Sequence, residues 1–182
     1  MGLQSALSTA LTGLNAAETS IDVVGNNVAN SQTVGFKEST VNFSTQFLQT
    51  QSIGAAPSSS SGGTNPRQIG LGVKVAEITP EFTQGTIAIS SNPLDVAIQG
   101  EGFLIVQGPQ GVNSGEPRQG DPGENGLGSL TAGAVELSNT DIGQNLIELI
   151  LASTQYRGGA WVIRAVQQLL DELLSLRRQV DE

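Results

Sequence analysis

The chain has 182 residues, 37% of them apolar and 14% charged, with 23 glycines, seven prolines and neither cysteine nor histidine. Thiolate nucleophiles, imidazole bases, Ser-His-Asp triads, disulfides and the usual zinc or haem ligand sets are therefore excluded, which leaves carboxylate, lysine or tyrosine chemistry. Eight Lys and Arg against 17 Asp and Glu give a net charge of −9 with the basic residues scattered, a balance that disfavours nucleic acid and anionic membrane surfaces as partners.

From Leu3 the apolar residues fall at Leu3, Leu7, Ala10, Leu14, Ala17, Ile21, Val24 and Val28, an alternation of four and three that predicts a heptad seam on a helix over about 3–28. Such a helix is about 40 Å long and, with small residues in its seam, needs a close-fitting partner. Gly25 followed by Asn26 and Asn27 marks its end. With Asn30, these amides either satisfy orphan backbone groups there or form a recognition signature.

The stretch Gly54 to Arg67, GAAPSSSSGGTNPR, reads as a linker. Short β-branched runs follow at Ile69–Ile78, Phe82–Ile89, Leu94–Ile98 and Phe103–Val106, separated by turn residues, and a last one around Leu130–Val135; they predict a small antiparallel sheet. Gly108 to Gly128 is rich in Gly and Pro and reads as loop or disordered chain. After Ser138, Asn139 and Thr140, candidate caps, periodicity returns from Ile142 to about Arg178 in two stripes. One comprises Ile142, Leu146, Leu149, Ser153, Tyr156, Ala160, Ile163, Gln167, Leu170 and Leu174; the other Val162, Val166, Leu169, Leu173, Leu176 and Val180. A single partner helix buries one seam, so the second stripe implies a second neighbour. Gly158 and Gly159 are a candidate bend or close-approach point.

The fold class expected is thus α+β: long N- and C-terminal helices paired as a coiled coil, with a small antiparallel β-rich domain between them. The expected domains are 1–30 with 139–182 (helical), 31–68 (connecting segment with the Ser/Gly-rich insertion), 69–107 with 129–138 (β-rich) and 108–128 (loop).

No catalytic, metal or cofactor site assembles. Gly70-Leu71-Gly72 and Gly100-Glu101-Gly102 open no helix and read as turns rather than phosphate cradles. The carboxylate pairs Glu77/Glu81, Asp95/Glu101 and Asp171/Glu172 read as exposed charge, and Asp121 with Glu124 lacks the ordered spacing of a calcium loop. No apolar run spans a bilayer, so no membrane insertion is expected, nor does the start of the chain look like a cleaved signal peptide.

The run ALTGLNAAETSIDVVGNNVANSQTVGFKEST, Ala10 to Thr40, resembles the amino-terminal signature of bacterial flagellar axial proteins, the rod and hook subunits, through its heptad, Asn-Asn-Val-Ala-Asn and Gly35-Phe36-Lys37. The segments from Gly72 (GVKVAEITPEFTQGTIAISSNPLDVAIQGEGFLIV) and Ala132 (AGAVELSNTDIGQNLIELILASTQYRGGAWVI) agree with it. The resemblance implies a non-enzymatic, self-assembling subunit of the flagellar hook, with distal rod, or a secreted cap- or adhesin-like module, as alternatives. It also implies export through the flagellar apparatus without signal cleavage, neighbouring axial and junction proteins as partners, and terminal helices that line the tube. The outer domain that such subunits carry after the Phe103 strand looks absent, and the Gln49–Gln68 insertion resembles a stiffening segment of rod-like subunits. The assembly-interface residues this suggests are Leu3, Leu7, Leu14, Ile21, Val24, Asn26, Asn27, Val28, Asn30 and Phe36, with Leu146, Leu149, Tyr156, Ile163, Val166, Leu169, Leu170 and Leu173 on the second helix. Trp161 stands where the family carries a polar residue.

Overall fold

A computed structural model describes residues 2–58, 60, 62–104, 120–124 and 127–180, with residues 178–180 described by backbone alone. Helix α1 spans Gly2–Ala29 and α2 spans Ile142–Val180. Between them lie β1 (Ser39–Thr45), β2 (Leu48–Ser52), β3 (Arg67–Gly70), β4 (Val73–Pro80), β5 (Ile87–Ile89), β6 (Val96–Gln99), β7 (Ser129–Ala132) and β8 (Ala134–Glu136). The class is α+β. Among the described residues, instead of one small sheet there are four two-stranded ones, β1 with β4, β2 with β3, β5 with β8 and β6 with β7. The chain divides into two units, one of residues 1–26, 39–79 and 143–182, the other of 27–38 and 80–142.

In the first unit, β1 to β4 form one long two-stranded ribbon. Thr40 faces Thr79 and Asn42 Nδ2 donates to Glu77 (3.2 Å); β2 then continues the ladder with β3 from Leu48 opposite Gly70 to Ser52 opposite Arg67, across a bulge. Beyond it Ala55 and Thr64 exchange two backbone hydrogen bonds of 3.0 and 2.9 Å. The Gly54–Arg67 linker reading is thereby corrected. Its small polar residues bury little, and the ladder runs on main-chain bonds, for which composition carries no signal. For the same reason β1 and β2 escape the periodicity.

Thr12 ties the ribbon to α1: its hydroxyl donates to Thr9 O (2.8 Å) and accepts from the Val73 N–H (3.3 Å). The preceding Gly72 has φ +107°, and a Cβ there would lie 2.1 Å from Thr12 Oγ1. Gly72→Ala should therefore destabilise by about 1–3 kcal/mol through left-handed strain and lost docking. Gly13→Ala, mid-helix with no foreign atom within 4 Å of the new Cβ, should stabilise by about 1 kcal/mol. Denaturant midpoints of the two variants, expected to move in opposite directions, are the check.

The second unit is built on one bent strand. Residues 129–132 pair with β6 and 134–136 with β5, and the change of partner occurs at Gly133, φ +68°. Gly133 donates to Asp95 O (2.7 Å) and accepts from the Ser90 N–H (2.8 Å), which seats the Ser90–Asp95 turn against the bend. Within that turn Ser90 Oγ donates to the Asp95 carboxylate and the Leu94 N–H donates to Asn92 Oδ1 (3.1 Å). Among the described residues of this unit, Ala97 and Ala134 are the buried apolar side chains.

The Phe82 run narrows to Ile87–Ile89, because the main chain of residues 81–85 is engaged by side chains. Asn139 Nδ2 donates to Glu81 O (2.8 Å) and Thr83 O (3.1 Å), Lys37 Nζ donates to Thr83 O (2.8 Å), and the Gly85 N–H donates to Glu136 Oε1 (2.7 Å). Phe103 and Leu104 form no strand; Ile105, Val106 and most of the Gly108–Gly128 segment lie outside the described residues. Helix α2 starts at Ile142, which puts Asp141 in the N-cap position in place of Ser138, Asn139 or Thr140. It runs through Gly158-Gly159 without a break. Among the described residues no helix is long and apolar enough to cross a membrane.

Candidate assembly interface

The four-three row of α1 is its covered face. Ala17 (1% exposed) and Val24 are buried, and Leu3, Leu7, Ala10, Leu14, Ile21 and Val28 are half-buried, with Ala16 buried beside them. At the helix end Asn26 is exposed, Asn27 buried and Asn30 half-buried. The Asn30 N–H donates to Asn27 O (3.2 Å) and the Thr33 N–H to Asn30 O (2.9 Å), while the Thr33 hydroxyl donates to Asn30 Oδ1 (3.1 Å), so the asparagines wind the chain out of α1 in tight turns. Phe36 is half-buried just beyond.

On α2 the covered row differs from the first stripe read from sequence. Leu149 and Ile163 are half-buried as that stripe requires, but the buried positions around them are Asn145, Ala152 and Val166. Asn145, Leu149, Ala152, Tyr156, Gly159, Ile163, Val166 and Leu170 again alternate four and three, with Tyr156 and Leu170 at the exposed edge of the row, whereas Ile142, Leu146, Gln167 and Leu174 lie outside it and are exposed. The register slips because small or amide side chains occupy Asn145, Ala152 and Gly159, where apolar pattern gives no signal. At Gly159 a Cβ would lie 3.6 Å from Ala10 O and 3.7 Å from Leu14 Cβ, so the glycine is a close-approach point between the helices.

A second side of α2 is apolar and open. Ile147, Leu151, Val162, Leu169 and Leu173 are all about half exposed and Trp161 is 73% exposed; at 100° per residue they share one strip. Among the described side chains of the second stripe only Val166 belongs to the covered face. Leu146, Tyr156 and Leu170 are exposed on the flanks of the seam. Beside the helices a groove of about 740 Å³ is lined by Ala6, Ala10 and Gly13 of α1, Phe43 and Ile69 of the ribbon and Gly158 of α2.

The second unit carries a polar lock. Lys37 Nζ donates to Glu136 Oε1 at 2.6 Å, the same oxygen that takes the Gly85 N–H, and both side chains are 20% exposed. Partial burial pushes the Glu136 carboxyl up; the Lys37 hydrogen bond, the Gly85 N–H and the Lys37 charge outweigh it, so its pKa lies below the ordinary 4.5. A carboxylate depressed in the folded state adds stability above its unfolded pKa and loses it as pH falls through the folded one. The second unit should therefore weaken as pH drops below about 4.5, and Glu136→Gln should abolish that part of the acid dependence while costing about 1–2 kcal/mol at neutral pH. Thermal unfolding of the two chains from about pH 7 to 3 is the measurement; parallel profiles would refute it. Near the lock Phe82 and Phe103 meet edge to face, ring centroids 5.0 Å apart.

The carboxylate pairs take ordinary places: Glu77 accepts from Asn42 and Asp95 closes its turn. Among the described residues no three acidic side chains converge on a metal-sized site.

A family model described as flagella basal body rod protein matches residues 7–37, the covered helix and its asparagine exit. The chain is 40% identical to the flagellar hook protein FlgE of Borreliella burgdorferi over 105 residues, 58% of this chain and 24% of that one. It is 45% identical to FlgE of Escherichia coli over 99 residues, 54% of this chain and 20% of the relative. With the flagellar basal-body rod protein FlgG of Bacillus subtilis it aligns over 260 positions at 24% identity, covering 94% of this chain and 98% of the other. These matches support a likeness to the flagellar axial proteins, the hook and rod subunits. The chain spans a quarter or less of the length of those hook relatives, and its α1 seam and asparagine exit coincide with the matched family segment.

Proposed function

We propose that this chain is a structural subunit that assembles with copies of itself into the helical tube of the flagellar hook. The observation that carries the reading is the two-sided α2: one face is covered within the subunit, and the other presents an apolar strip around Trp161 that the subunit itself leaves open. Monomeric surfaces rarely expose so continuous a strip, and a heterologous contact through it generates an open helical array. In this reading the helices 1–30 and 139–182 form the tube core and the β-rich parts lie outside it. Junction proteins and other axial subunits are the end partners, the flagellar export apparatus delivers the chain, and no catalytic step or cofactor is involved.

A second reading, distal-rod subunit, is favoured by the end-to-end alignment with FlgG, although the identity to the hook proteins is higher over the shared segments. Electron microscopy of the concentrated protein tests the common part: tubes are expected, and a solution of monomers at every concentration would favour a binding module instead. Expression in cells lacking either the hook or the distal-rod subunit separates the two readings by which structure is restored.

A further inference from the structure

Charge is divided unevenly between the helices. From Met1 to Phe36 the chain has no Lys or Arg, while α1 carries Glu18 and Asp22, four apart and on one face, both exposed. Leu11, 50% exposed, lies in the same row. On α2, residues 142–166 hold Arg157 and Arg164, seven apart on one face and both exposed, against a single carboxylate, Glu148. At 100° per residue the two arginines border the open strip that holds Trp161. Both rows belong to the same unit, yet among the described residues none of the four charges is in an ion pair.

We propose that the Glu18–Asp22 row of one copy docks on the Arg157–Arg164 row of the next, an inference that rests on the tube reading. Each copy carries both halves of the contact, and in the tube reading it is heterologous and repeats from copy to copy. The carboxylates are about 6 Å apart along the helix and the arginines about 10 Å, a difference their long stems absorb. Chains of net charge −9 repel one another at long range, so a local patch of opposite sign is what orients their encounter. The apolar neighbours Leu11 and Trp161 then lie inside a charged rim, the usual layout of a protein interface.

The test uses the whole chain in two charge-reversed forms: Glu18→Lys with Asp22→Lys, and Arg157→Glu with Arg164→Glu. Each alone should need about tenfold or more protein to form tubes, since like charges then face each other at every contact. An equimolar mixture, in which each form supplies what the other lacks, should polymerise near the wild-type concentration. Circular dichroism should show wild-type helicity in both, because all four positions are exposed; if either lysine or glutamate form is unfolded, the neutral pair Glu18→Gln with Asp22→Gln takes its place, with a smaller rise in critical concentration that added sodium chloride no longer changes. Wild-type tubes together with unimpaired polymerisation of either reversed form, or a mixture no better than its parts, overturn this contact and leave the tube reading standing. A wild-type chain that never polymerises overturns both.

Discussion

Ala17→Asp should destabilise the helical unit strongly and lower its unfolding midpoint far more than any change on its outer face. Ala17 is 1% exposed, in the middle of the α1 seam, one turn from the point where a Cβ on Gly159 would lie 3.7 Å from Leu14 Cβ. A carboxylate there has neither water nor a cation within its own helix, since α1 contains no Lys or Arg. An uncompensated buried charge costs about 3–5 kcal/mol, a large fraction of the roughly 5–15 kcal/mol that holds a typical domain. Leu11→Asp, on the exposed face in the third turn of the helix, should shift the unfolding midpoint little. Leu170→Asp, at a 41% exposed site, should leave the isolated chain folded and impair only assembly. Chemical denaturation of the three variants checks the order; equal midpoints for Ala17→Asp and Leu11→Asp would refute the seam.

Asn139→Ala should loosen the second unit while sparing the helices. Its amide nitrogen donates to Glu81 O and to Thr83 O and Oγ1, and its oxygen accepts the Glu38 N–H at 2.8 Å, so one side chain joins three stretches of chain. Removing it takes their Asn139 partner from the Glu38 N–H and the Glu81 carbonyl and leaves Thr83 O to Lys37 alone, at a cost of about 2–3 kcal/mol after water has partly replaced the lost bonds. Asn139→Asp should be worse than its size suggests, because it keeps the acceptor for Glu38 but turns a carboxylate toward the carbonyls of residues 81 and 83. Hydrogen exchange should reveal faster opening at Glu38 and Gly85 with α1 and α2 unchanged. Uniform acceleration across the chain would contradict it.

The α1 row is legible in the sequence because leucine, isoleucine and valine mark most of its four-three steps. Its counterpart on α2 is half legible: Leu149, Tyr156, Ile163 and Leu170 mark one set of positions, while Asn145, Ala152 and Gly159 stand among the others and are silent to a hydropathy pattern. The ribbon is hidden more deeply. Its pairings, β1 with β4, β2 with β3 and Ala55 with Thr64, are made by backbone groups that every residue possesses. Asn139 reads locally only as a capping residue, since nothing near it in the chain indicates that its amide reaches Thr83 and Glu81, 56 and 58 positions away. The open strip of α2 is foreshadowed by the second stripe, though Val166 lies on the covered side.

The covered seam also governs which changes the chain can accept. Ala16, Ala17 and Ala152 are buried small side chains of the seam, where there is little to trim and any larger side chain must displace packed neighbours. A library of random variants should therefore find these positions almost closed to change, whereas the outer faces of α1 and α2 accept many side chains. Diversification in such a subunit is channelled outward, onto the surfaces that meet other molecules, while the inner joint stays frozen.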